Sequence, residues 1–185
     1  MTQRRPIRLL AIPLLGALLS GCAANPSFIG TTSYLPSYTP GEPMAYGAVR
    51  LVIGGTLLPG VPDETADAAV LAAMQDQGMH ETHFTLGPVP RSPYAVVVAF
   101  DAPRTLESSY LCLGAPVAPP PGHGHSLRVV MALCRGNERL AGADGHMPRP
   151  TGVDDPVIHA ALAGFVRAIV PMMNPERPLE GAGMP

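Results

Sequence analysis

Apolar residues recur along this chain with two periods, one matching strands and one matching helices. Residues 48–53 (AVRLVI) read as a strand closed by Gly54-Gly55. A loop holding Pro59, Gly60 and Pro62 then leads to Asp63, a good helix N-cap, with Glu64 and Asp67 in the first turns, where the helix dipole favours negative charge. Ala66, Ala69, Val70, Ala73 and Met74 follow at three- and four-residue spacing, which predicts a helix over 63–77 stopped by Gly78. Residues 94–100 (YAVVVAF) are apolar on both alternating faces, the mark of a central strand covered on both sides. In 126–134, Leu127, Val129, Met131 and Leu133 share one face while Arg128, Val130, Ala132 and Cys134 share the other. Residues 135–138 form a turn, and 139–147 return as a partner strand weakened by Gly142 and Gly145. Finally, Asp154 or Asp155 caps a helix with Pro156 at its first position, Ile158, Leu162, Phe165 and Ile169 form its stripe, and Pro171 stops it.

The order is β-α-β-β-β-α. Each helix has one apolar stripe to bury, so the economical packing is an α+β fold: a mostly antiparallel sheet of about four strands with both helices on one face. This domain spans 48–173, followed by a disordered tail over 174–185. Residues 22–47 lack an apolar period and read as a flexible tether. That tether nevertheless carries Phe28, Tyr34, Tyr38 and Tyr46, four of the chain's nine aromatic residues, with a small repeat in Ser33-Tyr34-Leu35-Pro36 and Ser37-Tyr38-Thr39-Pro40. Such rings dock on the domain, lie in lipid headgroups or meet a partner, and the pattern leaves the choice open.

The N-terminus is more specific. Arg4, Arg5 and Arg8 precede an eleven-residue apolar run (9–19), too short to span a bilayer and the right length for a secretory signal. The run ends in Leu19-Ser20-Gly21-Cys22, which resembles the lipobox of bacterial lipoproteins. The resemblance implies a signal peptide over 1–21, a diacylglycerol on the Cys22 thiol and usually an acylated amine. Several acyl chains, at about 0.8 kcal/mol per buried methylene, anchor a protein firmly. In that family Ala23 in place of Asp favours the outer membrane over the inner one.

With Cys22 assigned to lipid, Cys112 and Cys134 remain, an even pair in an exported protein. They form either a disulfide around 21 intervening residues or two buried free thiols. The chain has no lysine, and outside the leader nine arginines face fourteen acidic residues. A protein that binds nucleic acid needs a basic stripe, and there is none.

Three groupings carry candidate chemistry. His80, His83, His146 and Met147 combine imidazole with thioether, ligands suited to copper in an oxidising envelope or, for imidazole alone, to zinc. The alternative is scattered loop histidines. His123-Gly124 ahead of Cys134-Arg135 distantly resembles the L,D-transpeptidase cysteine motif, but Ala132 and Leu133 stand where that motif needs Gly and Ser nearby. Asp63, Glu64, Asp67, Asp154 and Asp155 are sufficiently explained as helix-terminal charges. The loop 115–125 (APVAPPPGHGH) is either a stiff recognition segment or a tolerated insertion.

The lipobox, the aromatic tether, Gln77-Gly78-Met79 closing a helix, the Tyr94-Ala95-Val96-Val97-Val98 strand and a last helix running into Pro171 together resemble small α/β envelope lipoproteins of proteobacteria. That resemblance brings no catalytic residues. The expected role is a lipid-anchored, periplasm-facing accessory protein of binding or structural type, not an enzyme, with no cofactor. Its partners are the membrane and an envelope protein. A copper or zinc binder and a cell-wall enzyme are the alternatives.

Overall fold

The computed structural model describes residues 28–39, 42–75, 83–117 and 124–170. Cys22, His80, the expected helix stop at Gly78, the proline run at the heart of the 115–125 loop and the tail beyond 170 lie outside them. The chain runs through β1 (Phe28–Tyr34), a 3-10 turn (Pro43–Tyr46), β2 (Ala48–Gly55), α1 (Asp63–Gln75), β3 (His83–Thr85), β4 (Tyr94–Phe100), α2 (Ser108–Leu111), β5 (Ser126–Arg135), β6 (Glu138–Pro148) and α3 (Pro156–Ile169). Among the described residues, no helix is long and apolar enough to cross a membrane.

The fold is α+β, but the sheet is mixed and has six strands, in the order β1-β6-β5-β4-β2-β3. The expectation of about four mostly antiparallel strands is corrected in two ways. First, β2 pairs parallel with both β3 and β4, while the other pairs are antiparallel. The reason is α1: at about 1.5 Å per residue it carries the chain back along the sheet, so the next strands start at the end where β2 started. Second, two strands escaped the hydrophobic pattern. β1 lies inside the stretch expected to be tether, and β3 has only three residues. β3 is held by an amide clamp, with Gln75 Nε2 donating to the Phe84 carbonyl at 2.6 Å and Phe84 N–H donating to Gln75 Oε1 at 3.2 Å.

The two faces of the sheet are covered differently. One carries the main core: Leu127, Val129, Met131 and Leu133 of β5 pack with Val96, Val98 and Phe100 of β4 under Val70, Ala73 and Met74 of α1 and Ile158, Leu162, Phe165 and Ile169 of α3. Both long helices thus sit on one face, as their stripes require. The other face holds Ala99, Val130, Ala132 and Cys134, covered by Ala102, Leu106, Leu111 and Cys112 of the segment around α2. This second layer explains why β4 is apolar on both sides. α2 itself is one helical turn, too short for a period to reveal.

Candidate functional site

The second layer is pinned at both ends. Cys112 and Cys134 stand at disulfide distance, with Cα atoms 5.5 Å apart. At the other end Arg128 pairs with Asp144 and donates to the carbonyls of Pro103 and Leu106, the latter at 3.0 Å. Arg139 reaches the hydroxyls of Ser33 and Ser108 (the latter at 3.1 Å), tying β1, β6 and α2 together. Around it lies a shallow polar cleft of about 200 Å³ lined by Thr31, Ser33, Glu107, Ser108 and Asp144. Arg128 and Arg139 both have partners within the fold, so the arrangement holds a layer in place.

A second cleft, about 210 Å³, opens where β2 ends and α1 begins, between Gly54, Gly55, Thr56, Asp63 and Asp67. Burial, and then the negative charge of Asp63, raise the Asp67 carboxyl above its ordinary value. Asp155 behaves oppositely. It caps α3, accepting from Val157 N–H at 3.0 Å and from the backbone N–H and hydroxyl of Thr151, both at 2.9 Å. Those bonds lower its pKa. Of the two aspartates expected as cap, the structure selects this one.

Of the expected metal ligands, the described ones, His83, His146 and Met147, are not brought together. His83 opens β3 and is exposed, whereas His146 is exposed on β6. Three strands, β5, β4 and β2, lie between those two in the sheet, so at about 4.8 Å per strand β3 and β6 are roughly 19 Å apart, and the register sets His83 and His146 toward opposite ends of the sheet. Met147, next to His146, points to the opposite face and is buried in the main core. Among the described residues no group of three His, Cys, Asp or Glu side chains lies close enough to hold a metal ion. Pairing with Cys112 also removes the thiol that a nucleophilic Cys134 would need.

What the fold does assemble is a tyrosine-lined end of the sheet. The rings of Tyr34 and Tyr38 stack at 6.4 Å and 6°. Tyr46 tilts against the buried Tyr94 at 5.3 Å. Tyr34 and Tyr46 remain 44% and 46% exposed, and Tyr38 is half-buried. Burial, and then the neighbouring Tyr34, Glu42 and Tyr94, raise the Tyr38 pKa. Beside the rings, Arg135 lies between Glu138 at 2.8 Å and Glu42 at 3.6 Å. The Tyr34 and Tyr38 hydroxyls donate to the carbonyls of Ala168 and Ile169, orphan acceptors in the last turn of α3. The Ser-Tyr repeat is the visible trace of this site: four residues of spacing across a turn bring its two rings face to face. Tyrosine and arginine on an otherwise lysine-free surface are the residue types that dominate binding hot spots.

No family model matches the sequence, and no curated protein is similar to it. Among solved structures, a PelC dodecamer from Paraburkholderia phytofirmans is similar to this chain at a TM-score of 0.44 and 11% identity, covering 77% of this chain and 96% of that one. A single-substitution variant of that dodecamer gives a TM-score of 0.43 and 12% identity over the same shares. At those values the likeness is one of loose backbone course, and no role is taken from it.

Proposed function

We propose that this chain is a lipid-anchored accessory protein of the cell envelope, of binding or structural type, held through Cys22 and facing the periplasm. The observation that carries the reading is the pairing of cysteines. The fold uses Cys112 and Cys134 on each other, as suits an oxidising compartment, and that leaves Cys22 alone behind Leu19-Ser20-Gly21. Ala23 favours the outer membrane. Five residues separate Cys22 from the start of β1, so at about 3.6 Å per step the first strand begins within roughly 22 Å of the lipidated sulfur. On this reading the Phe28 end of the sheet sits near the bilayer and the tyrosine end is presented away from it.

Intact mass of the product extracted from membranes tests this. The expected species begins at Cys22 and carries diacylglyceryl mass, while Cys22→Ser releases the protein to the soluble fraction. A water-soluble wild-type product beginning beyond Cys22 and bearing no fatty-acid mass overturns the proposal.

A further inference from the structure

We propose that the polar cleft between β1, β6 and α2 is a binding site for a small α-amino acid, whose carboxylate meets Arg139 and whose ammonium meets Glu107. The inference goes beyond the anchoring role and stands whether or not Cys22 is lipidated.

Four observations carry it. The first is that the two arginines of this layer are held differently. Arg128 turns its Nε–Nη2 edge onto both oxygens of Asp144, the planar grip that a guanidinium offers a carboxylate. Arg139 gives Nη1 to two neutral hydroxyls, those of Ser33 and Ser108. Its own Nε–Nη2 edge makes no hydrogen bond or ion pair among the described residues, although the side chain is partly buried and lines the cleft. The second is the polarity of the hydroxyls. Each accepts from Arg139 and keeps its own proton to donate, and no acceptor for either proton is found among the described residues. This wall of the cleft is therefore rich in donors and suited to a carboxylate.

The third observation is charge. Asp144 is neutralised by Arg128, so it does not oppose an anion at Arg139. Glu107 also lines the cleft, and its carboxylate neither caps α2 nor joins an ion pair among the described residues. The cleft thus holds one cation and one anion that are not paired with each other. A simple anion there is repelled by Glu107 and a simple cation by Arg139, whereas a zwitterion is attracted by both. The fourth is shape. A Cβ on Gly142 would stand 2.3 Å from Ser108 Oγ and 3.2 Å from Arg139 Nη1, so glycine is what lets the α2 hydroxyl lie beside the guanidinium. At about 200 Å³ the cleft falls below the ~300–1,000 Å³ of drug-sized sites and suits a molecule as small as alanine.

Nuclear magnetic resonance titration of the isotope-labelled full chain tests this, read at the Arg139 Nε–H signal, with alanine, acetate, methylammonium, inorganic phosphate and glucose as probes. Alanine is expected to move that signal saturably and to bind about fivefold tighter than acetate or methylammonium, the worth of one solvent-exposed ion pair. Arg139→Lys keeps the charge but loses the planar edge, and weakens alanine about tenfold or more. That variant also loosens β1, so Glu107→Gln, at an exposed position, serves as the second: it brings alanine down to the affinity of acetate without weakening acetate itself, and leaves Tm unchanged. Alanine binding no tighter than acetate or phosphate overturns the proposal in favour of a plain oxyanion site. Glucose binding tighter than alanine overturns it in favour of a neutral polyol. The absence of a saturable shift with alanine, or an affinity indifferent to Glu107→Gln, overturns it outright.

Discussion

Breaking the Cys112–Cys134 link tests how the second layer of the fold is held. The two cysteines are 22 residues apart, and both are buried, at 7% and 2% exposure. Closing a loop of that length removes about 11 cal/mol/K from the unfolded chain, worth about 3 kcal/mol at 25 °C. The native side adds to the loss, because the sulfurs pack against Leu111, Val130 and Ala132 and alanine leaves part of that volume empty. Urea unfolding of the Cys112→Ala/Cys134→Ala variant, followed by far-ultraviolet circular dichroism because the chain has no tryptophan, gives the difference. With a slope of about 2 kcal/mol per molar, the midpoint falls by about 1.5 M. Since either single replacement opens the same loop, each one alone costs nearly as much as both, within about 1 kcal/mol. Amide exchange concentrated around α2 should accompany the loss. A double variant within about 1 kcal/mol of the oxidised wild type would refute the argument, and so would single losses that simply add.

Further expectations concern backbone, charge and pH. Gly55 has φ +76°, and a Cβ there would stand 1.9 Å from the Phe100 carbonyl oxygen, so Gly55→Ala should destabilise by more than about 2 kcal/mol. Gly60→Ala, at φ +82° but with open space around it, should cost only the left-handed penalty of about 1 kcal/mol; equal losses in urea titrations would contradict the steric account. Arg128→Met strands the half-buried Asp144 and two carbonyls, a loss of about 3 kcal/mol that Arg128→Lys does not restore, because an ammonium lacks the planar fork; recovery of full stability by Lys would contradict this. Burial raises the pKa values of Tyr34, Tyr38 and Tyr94 above 10.0, so their contribution to stability is intact below pH 10 and fades as pH rises through the higher folded values. Ultraviolet titration should therefore show tyrosines ionising late, together with loss of structure, and early ionisation of all of them with the fold intact would count against the buried cluster. On the acid side, the lowered pKa of Asp155 means its stabilising effect is present above the ordinary value of 3.8 and disappears as pH falls through the folded one. Asp155→Ala should lower Tm at pH 7 and flatten that acid dependence, while Asp155→Asn, still a capping residue, should keep more of the Tm.

Much of the fold was legible from periodicity alone. The stripe of α3, the face of α1, the two-sided burial of β4 and the division of β5 into Leu127-side and Arg128-side faces all follow from residue spacing, because burial on one side of a regular element imposes its period on the sequence. Cysteine parity likewise pointed to Cys112 and Cys134. Other features have no period to read. β1 is a sheet edge whose middle, Gly30 to Ser33, shows no alternation of apolar and polar residues, and its pairing with β6 is made by backbone groups that every residue carries. The parallel pairing of β2 depends on where α1 delivers the chain, a matter of lengths in space. His83 and His146 looked like companions because of their chemistry, and only the strand order put three strands between them. Tyr34, Tyr38 and Tyr46 stood out in the tether with three uses open to them, and it is the fold that gathers them with Tyr94 at one end of the sheet, where two of the hydroxyls close α3. Local pattern records which face of an element is dry; which elements become neighbours is settled by long-range packing, and the surface a partner meets is built from those neighbours.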